Sequence, residues 1–309
     1  MKVTMIMGAP ASGKSTLAKE ALTTDSVHLN RDTEGGKVMH LLPKMEVALK
    51  SGKDVVVDNL FTIAETRKPF IDLAKKYKAE MIGRLMGTSL EDSQINALHR
   101  MYKKHGQIFF DAQQMKHIKD PGTFPVAVLF VYRKNFEKPL LTEGFDELTK
   151  IKFVRKPSTY SNKAVIFDYD GTLRESTGEY QYPVKIDDVK LMPGRAEKIN
   201  DCLANGYSVI GVSNQSGIGK GVLTDEDAIR CFDHTHDELG INFEYLYCPH
   251  KVPPITCYCR KPQAGLGVHF IEKYKLKPSD CIVVGDMTTD RTFASRLNMQ
   301  FEWAKDFFK

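Results

Sequence analysis

Short apolar runs rich in β-branched residues alternate along the chain with longer amphipathic stretches. This alternation is typical of α/β layers built on parallel strands. In the first half it predicts strands at Lys2–Met7, Asp54–Asp58 and Glu80–Leu85, and helices at Ser15–Ala21, Val38–Lys50 and Ala64–Tyr77. Residues 86–120 are polar throughout and predict a further helical segment, of the kind that covers a site.

A second series of elements begins after a predicted linker. The stretch from Arg133 to Thr159 is rich in Lys, Pro and Gly, and its end, Lys156 to Asn162, has the composition of a linker. Buried-strand patterns recur at Ala164–Asp168, Ser208–Ser213, Glu244–Tyr247 and Cys281–Gly285, with a helix at Gly194–Asn205. We therefore predict two unrelated α/β domains, residues 1–157 and 163–309, joined by one crossing of the chain.

Composition narrows the class of protein. The 309 residues are 42% hydrophobic and 27% charged, which suits a soluble protein of two domains and excludes a disordered tail, a fibre or a disulfide-built miniprotein. The chain has no run of eighteen apolar residues, so no membrane span is expected. Met1 to Met7 leads directly into glycine-rich polar sequence, which is unlike a secretory signal, and a cytoplasmic location is expected.

Charge is distributed unevenly. Residues 1–160 hold 26 Lys and Arg against 18 Asp and Glu, a balance of +8, whereas residues 161–309 hold 18 against 21, a balance of −3. A basic first half suits a polyanionic substrate. A solvated, lysine-rich surface without such a substrate is the alternative explanation.

Residues 8–15 read G-A-P-A-S-G-K-S, the pattern of a phosphate-binding loop, between a predicted strand and a predicted helix. Gly8 and Gly13 let backbone N–H groups turn inward around a β-phosphate, beside the positive end of the helix dipole. Lys14 is expected to reach the β and γ oxygens, Ser15 to bind Mg²⁺, and Thr16 to line the same site. A chance match in a glycine-rich turn is the alternative.

Two acidic strand ends follow the loop. Asp32 ends the run that starts at Val27, and a carboxylate at this position points into the crevice beside the γ-phosphate. Asp32 is thus expected to accept a proton from an attacking hydroxyl, unless it only caps a helix. Asp58, followed by Asn59, is expected to hold a metal-bound water or to orient Asp32, unless the pair only forms a turn.

The second half contains an apolar strand that ends in two carboxylates. Residues 164–173 read A-V-I-F-D-Y-D-G-T-L, and Gly171 permits the turn that brings Asp168 and Asp170 to one face. One carboxylate can attack phosphorus and form an aspartyl-phosphate, while the other protonates the leaving oxygen and activates water. A metal-binding acidic turn without chemistry is the alternative.

Three further strand ends supply what this chemistry needs. Ser213, followed by Asn214, offers a hydroxyl and amides to phosphate oxygens, and Lys261 offers a cation that neutralises nucleophile and phosphate together. Asp286 completes a Mg²⁺ site, with Asp290 one helical turn further on. Each residue also has an ordinary structural explanation: Ser213 could cap a helix, Lys261 could be a surface lysine, and Asp290 could be a charge at a helix N-terminus.

Four residues between positions 248 and 259 have metal-ligand spacing. Cys248, His250, Cys257 and Cys259 supply three thiolates and one imidazole, a complete tetrahedral set for structural Zn²⁺. Such a metal would shape the loop that carries Lys261 rather than react; free buried thiols are the alternative. The isolated cysteines are expected to be inert core residues: Cys202, Cys231 and Cys281.

The first half resembles the kinase module of polynucleotide kinase-phosphatases. The resemblance spans about residues 3–153 and is carried by residues 8–15, Asn30-Arg31-Asp32, Asp58-Asn59, Tyr132-Arg133-Lys134, Phe136-Glu137 and Glu143-Gly144-Phe145. It implies that Asp32 is the general base for the 5′-hydroxyl of a nucleic acid end, with ATP or another NTP as donor.

The family's lid carries closely spaced arginines that clamp the donor phosphates. The matching residues 96–101 read N-A-L-H-R-M, in which Arg100 is the one arginine. The resemblance thus implies a phosphate contact for Arg100, with His99 or Lys103 in place of a second clamp residue. A solvated arginine on a polar helix is the alternative.

Residues 163–305 resemble the haloacid dehalogenase superfamily of phosphohydrolases. The resemblance implies that Asp168 is the nucleophile, Asp170 the acid/base, and Mg²⁺ bound by Asp168, Asp286 and the carbonyl of residue 170. The S-N-Q-S-G-I-G stretch from Ser213 is similar to histidinol-phosphate and heptose-bisphosphate phosphatases and to eukaryotic polynucleotide 3′-phosphatases. The cysteine cluster resembles the zinc loop of the first two groups only.

Together, the resemblances imply a bifunctional enzyme that phosphorylates 5′-hydroxyl ends and removes 3′-phosphates from DNA or RNA. A nucleic acid ligase acting downstream is the partner this activity implies. A fusion of a small-molecule kinase with a sugar-phosphate or histidinol-phosphate type phosphatase is the alternative, which the zinc loop favours and the charge of the first half opposes.

Overall fold

The structure, a computed structural model, describes residues 1–254 and 256–309. Its chain forms two compact units, one of residues 1–97 and 119–155 and the other of residues 98–118 and 156–309. The second unit thus includes a segment that the sequence assigned to the first domain. As a result, the chain passes between these units after residues 97, 118 and 155.

The first unit is built on a parallel sheet with the strand order β2-β3-β1-β4-β5. Its strands are β1 (Lys2–Met7), β2 (Ser26–Asn30), β3 (Asp54–Asn59), β4 (Glu80–Met86) and β5 (Glu147–Ile151). The helices that begin in this unit are α1 (Lys14–Ala21), α2 (Arg31–Glu34), α3 (Leu42–Lys50), α4 (Ala64–Lys76), α5 (Leu90–His105) and α6 (Ala127–Asn135). α5 continues into the segment grouped with the second unit.

The second unit is built on another parallel sheet, with the order β10-β9-β6-β11-β12. Its strands are β6 (Ala164–Phe167), β9 (Ser208–Asn214), β10 (Tyr245–Cys248), β11 (Ile282–Gly285) and β12 (Gln300–Trp303), with an antiparallel pair of β7 (Arg174–Ser176) and β8 (Val189–Leu191) beside it. The helices are α7 (Arg195–Ala204), α8 (Ser216–Gly219), α9 (Asp225–Leu239), α10 (Gly265–Tyr274), α11 (Thr288–Leu297) and α12 (Ala304–Phe307).

The central strand of each sheet carries the first motif of its site. β1 lies between β3 and β4, and β6 lies between β9 and β11. In each sheet the strand order reverses at this central strand, so the loop that follows β1 or β6 lies at the point of reversal. Ligands of open parallel sheets bind at such positions. The predicted α/β class with two parallel sheets is confirmed.

One prediction about secondary structure is wrong, and one strand was not predicted. Residues 86–120 are not one helical cover, because α5 ends at His105 and Gly106 follows with a left-handed φ of 71°. The Lys- and Gly-rich stretch that precedes the predicted linker contains the edge strand β5, whose side chains are mostly exposed. An edge strand of this kind lacks the apolar run by which a buried strand is recognised.

Candidate active sites and metal centre

The phosphate-binding loop of the first unit runs between β1 and α1. Lys14 Nζ donates to the carbonyl oxygens of Gly8 and Ala9, at 3.0 and 2.8 Å, so the ammonium lies within the loop. Ser12 is buried, and its Oγ has no hydrogen-bond partner among the described residues. A buried hydroxyl without a partner and an inward ammonium fit a phosphate group, which would satisfy both.

Asp58, at the end of β3, is the centre of the polar cluster beside this loop. Its side chain is fully buried; Oδ2 accepts from Ser15 Oγ at 3.0 Å, and Oδ1 lies 2.8 Å from Asn30 Nδ2 and 2.6 Å from His28 Nε2. A serine hydroxyl beside a carboxylate is the ligand pair with which such loops hold Mg²⁺. Asp58 therefore contacts the predicted metal ligand, and its predicted contact with Asp32 is not seen among the described residues.

Asp32 lies at the start of α2 with its carboxylate half exposed to solvent. The helix is capped by Asn30, whose side-chain oxygen accepts from the backbone N–H of Asp32 at 2.7 Å. The carboxylate of Asp32 pairs with Arg31 at 2.8 Å. Asn30, and not Asp32, is therefore the N-cap of α2. The carboxylate of Asp32 takes no part in this cap.

The sequence analysis overlooked Asn96, in the first-unit part of α5. Asn96 Nδ2 donates to the carbonyl of Ala11 in the phosphate-binding loop at 3.0 Å, and Asn96 Oδ1 accepts from Arg155 at 3.0 Å. Thr88 Oγ1 also bonds this loop, at the carbonyl of Ser12. Arg100 lies in the part of α5 grouped with the second unit, so its contact with a donor phosphate stays a prediction.

The second site centres on Lys261, which is almost fully buried. Its Nζ lies 2.5 Å from an oxygen of Asp168, 2.8 Å from Asp290 and 3.0 Å from the carbonyl of Val212. Burial alone would lower the pKa of Lys261, but the charges of Asp168 and Asp290 outweigh it and hold that pKa above its ordinary value. Lys261 therefore stays an ammonium and neutralises both carboxylates.

Three carboxylates of this site lie close enough to share a cation. Oxygens of Asp168, Asp286 and Asp290 lie within 4.8 Å of one another. Burial raises the pKa of Asp168 to about 7, an effect opposed by Lys261 and reinforced by Asp290 and Asp170. Burial, reinforced by the Asp290 charge, also raises the pKa of Asp286. Burial and mutual repulsion both disfavour the ionised form of these carboxyl groups. A divalent cation bound between them would relieve that repulsion, and carboxylate oxygens are ligands that fit Mg²⁺.

Asp170 is held by two side chains that the sequence analysis did not single out. Its Oδ1 accepts from Arg174 Nε at 2.8 Å, and its Oδ2 accepts from Gln215 Nε2 at 2.7 Å. Arg174 is 1% exposed and also donates to the carbonyl of Cys231. Gln215 was visible within the S-N-Q-S-G stretch, whereas Arg174 has no sequence signal beyond its position four residues after Asp170. This geometry fixes the carboxylate predicted to be the acid/base.

The remaining predicted residues line the same crevice. Ser213 is buried and its Oγ accepts from Gln215 at 2.9 Å, while Asn214 exchanges two hydrogen bonds with the backbone of Lys261. Gly171 has a φ of 83°, and a Cβ there would lie 2.3 Å from Asp286 Oδ2. The close approach of the first loop to Asp286 therefore requires glycine at this position.

The four predicted metal ligands form one cluster. Cys248 Sγ lies 3.7 Å from Cys257 Sγ, and His250 Nδ1 lies 3.4 Å from Cys248 Sγ and 3.3 Å from Cys259 Sγ. Around Zn²⁺, with Zn–S of about 2.3 Å and Zn–N of about 2.0 Å, tetrahedral ligand atoms lie roughly 3.5–3.8 Å apart. The three sulfurs and one ring nitrogen therefore fit a closed, four-coordinate metal site.

The proximity of the three thiols also affects their ionisation. Hydrogen bonds with Cys248 and then Cys259 lower the pKa of Cys257, whereas the hydrogen bond to Cys257 raises the pKa of Cys248. The three thiols are therefore close enough for ionisation of one to affect the others. The isolated residues Cys202, Cys231 and Cys281 are buried, as predicted.

Comparisons with known proteins match both halves. A family model described as "Polynucleotide kinase 3 phosphatase" matches residues 163–308, and one described as an AAA domain matches residues 3–120. The "Probable D-glycero-D-manno-heptose-1,7-bisphosphate 7-phosphatase" of Thermoplasma volcanium is 35% identical over 144 residues, which are 45% of this chain and 96% of that protein. Residues 163–308 thus form a domain of the polynucleotide kinase 3 phosphatase family. A P-loop domain precedes it on the same chain, which confirms the prediction of a bifunctional kinase and phosphatase.

Other similar proteins match the phosphatase half or the whole chain. The "Histidine biosynthesis bifunctional protein HisB" of Legionella pneumophila is 34% identical over 143 residues, 45% of this chain and 40% of that protein. A D,D-heptose 1,7-bisphosphate phosphatase from B. bronchiseptica, solved with magnesium and phosphate, is 23% identical with a TM-score of 0.41 and covers 46% of this chain and 79% of its own. A chain of the Pnkp1/Rnl/Hen1 RNA repair complex covers 98% of this chain and 95% of its own, at 17% identity and a TM-score of 0.34.

The two domains imply an NTP and Mg²⁺ as cofactors, as predicted. Within residues 1–254 and 256–309, no helix combines the length and the apolar character needed to cross a membrane.

Proposed function

We propose that this protein heals broken nucleic acid: its first unit phosphorylates 5′-hydroxyl ends and its second unit removes 3′-phosphates. The observation that carries the proposal is the presence, on one chain, of a phosphate-binding loop with an adjacent acidic strand end and of the Asp168–Lys261 site within a polynucleotide kinase 3 phosphatase domain. A single strand break can need both repairs. Ends healed in this way are substrates for a nucleic acid ligase, the partner we propose.

In the kinase unit, Lys14 would bind the β- and γ-phosphate oxygens of the NTP, with Gly8, Gly13 and Thr16 shaping the loop. Ser15 and Asp58 would hold the Mg²⁺, which when bound neutralises charge on the phosphates. Asp32 would accept the proton of the 5′-hydroxyl while the hydroxyl oxygen bonds to the γ-phosphorus. The bond from that phosphorus to the β–γ bridging oxygen would break, and the nucleoside diphosphate would leave. The exposed carboxylate of Asp32 supports this role, because it is open to a substrate from solvent.

In the phosphatase unit, Asp168 would attack the phosphorus of the 3′-phosphate, and the bond from phosphorus to the 3′-oxygen would break. Asp170 would protonate that oxygen, then take a proton from the water that hydrolyses the aspartyl-phosphate. Ser213 and Lys261 would bind phosphate oxygens, while Asp168 and Asp286 would hold Mg²⁺, which when bound neutralises phosphate charge. Arg174 and Gln215 support the role of Asp170, because each fixes one of its oxygens.

A second candidate for the phosphatase substrate is a small sugar or amino-alcohol phosphate. The cysteine and histidine cluster and the heptose-bisphosphate and histidinol-pathway relatives favour it. The P-loop unit on the same chain and the +8 balance of residues 1–160 favour a polyanion instead. Two modules on one chain most simply serve one substrate, so we propose nucleic acid ends.

The experiment that decides between them compares kcat/KM for a 3′-phosphorylated oligonucleotide, heptose bisphosphate and histidinol phosphate on the same preparation. We expect the oligonucleotide to be preferred. Raising salt from about 50 to 200 mM should weaken its turnover at both sites by about tenfold or more, because counterions compete for phosphate contacts. A mononucleotide 3′-phosphate is the control and should be nearly insensitive to salt. A higher kcat/KM for either small phosphate would establish the metabolic alternative.

We also propose that the metal bound by Cys248, His250, Cys257 and Cys259 is one structural Zn²⁺ per chain. Cys257→Ser is expected to lose the zinc and to lower the melting temperature of the phosphatase unit by roughly 5 °C or more, because structural zinc contributes to folding free energy. Kinase activity should change little. Elemental analysis and calorimetry measure both effects.

Cys202→Ser is the matched control, since Cys202 is buried outside the cluster, and this variant should keep its zinc. Protein purified without chelator that contained no zinc would contradict the proposal.

A further inference from the structure

The zinc loop is contacted by residues that lie about 140 positions earlier in the sequence. Asp111 and Phe110 belong to residues 98–118, which are part of the second unit. Asp111 Oδ2 lies 3.0 Å from Nε2 of His250, and the carbonyl of Phe110 accepts from the backbone N–H of Tyr258 at 2.7 Å. Tyr258 stands between Cys257 and Cys259. Two adjacent residues thus contact both ligand-bearing arms of the loop.

The ring of His250 has one nitrogen toward the thiols and one away from them. Nδ1 lies 3.3 and 3.4 Å from two sulfurs, so it is the nitrogen placed to bind a metal. A nitrogen that binds a metal carries no proton, and the proton of a neutral imidazole must then be on Nε2. The Nε2–H group would donate to the carboxylate of Asp111. This hydrogen bond favours the tautomer that leaves Nδ1 free to bind the metal, and it fixes the plane of the ring.

The carboxylate of Asp111 is itself held in place. Its other oxygen, Oδ1, accepts from the backbone N–H of Gln114 at 2.9 Å, while Gln114 Oε1 accepts from the backbone N–H of Phe110 at 2.6 Å. Ile108 and Met115, on either side of this turn, are both buried, at 5% and 6% exposure. Asp111 therefore meets the imidazole from a packed turn rather than from a free surface.

We propose that Asp111 is a positioning residue of the zinc centre, and that zinc binding and the ordering of residues 106–118 are coupled. The inference rests on the proposed Zn²⁺ site, whose four ligands all come from the C-terminal half. With Asp111, the centre is completed by a segment from the N-terminal half. Since coupling is reciprocal, the segment stabilises the bound metal and the metal stabilises the segment.

Zinc transfer from the full chain to a chromophoric chelator tests the first part. Asp111→Ala should release zinc about 10–100-fold faster than the unmodified chain, because loss of a carboxylate bonded to a metal-binding histidine weakens affinity by that factor. Asp111→Asn keeps an oxygen acceptor and should lie between the two. Gln113→Ala is the matched control: it removes an exposed side chain from the same turn and leaves Asp111, Phe110 and Gln114 in place, so its release rate should stay close to that of the unmodified chain.

Limited proteolysis of the unmodified chain tests the second part and does not depend on the folding of any variant. Lys116 is exposed and offers a tryptic site within the segment. Chelation of the zinc should speed cleavage there, and readdition of zinc should reverse it. Equal cleavage with and without zinc, or an Asp111→Ala release rate equal to that of the unmodified chain, would overturn the inference while leaving the zinc site intact. An unmodified chain without zinc would instead overturn the zinc proposal, and this inference with it.

Discussion

Asp168→Asn is expected to abolish 3′-phosphatase turnover, lowering kcat by at least about a thousandfold, and to leave 5′-phosphorylation unchanged. An asparagine amide cannot attack phosphorus to form an aspartyl-phosphate, and the neighbouring groups cannot replace it. Lys261 is a cation, and both oxygens of Asp170 are bonded to Arg174 and Gln215. Steady-state hydrolysis and kinase assays on one preparation measure the two effects.

The substitution is nearly isosteric, and Lys261 keeps Asp290 as a partner, so the fold of the second unit should survive. Asp201→Asn, at an exposed position of α7, is a control that removes a carboxylate from the same unit and should leave hydrolysis intact. Phosphatase activity in Asp168→Asn within tenfold of the unmodified chain would show that another group is the nucleophile.

Lys14→Ala is expected to lower 5′-phosphorylation by at least about a hundredfold, while phosphatase turnover stays nearly constant. The ammonium lies inside the phosphate-binding loop on the carbonyls of Gly8 and Ala9, where a transferring phosphoryl group needs a fixed positive charge. Phosphorylation of a 5′-hydroxyl oligonucleotide, followed beside 3′-phosphate release, measures both activities.

Lys19→Ala removes an exposed lysine from the same helix and is the control for a general loss of positive charge. A Lys14→Ala variant that lost both activities equally while remaining folded would show that the two sites are not independent.

Chemistry at the ends of buried strands was predictable from the sequence. An apolar run that stops at a polar residue predicts a buried strand and places that polar residue at the carboxyl end of the strand. Examples are Asp58, Asp168 and Ser213. The cysteine spacing was equally informative, because a four-ligand set constrains a short loop. These signals are local, and each can be recognised without knowledge of the tertiary structure.

Other site residues were not predictable because their roles arise from tertiary packing. Asn96 and Arg174 are single polar residues in amphipathic sequence. Asp111 follows the short apolar run 108–110, but that run is not a strand, so the sheet-edge signal does not apply to it. The partners of Asn96, Asp111 and Arg174 lie 85, 139 and 4 residues away, respectively. Arg174 is only four residues from Asp170, but its role was still not predictable. Its burial depends on packing against α9, where it donates to the carbonyl of Cys231.

The threefold passage of the chain between the units affects how the protein can be taken apart. A fragment that starts at residue 156 loses all 21 residues of the segment 98–118, including Asp111. The complementary fragment keeps that segment but lacks the residues 156–309 with which it is grouped. A cut in the linker therefore yields neither unit whole. Dividing the chain at the linker is therefore expected to separate Asp111 and Phe110 from the zinc loop that they contact.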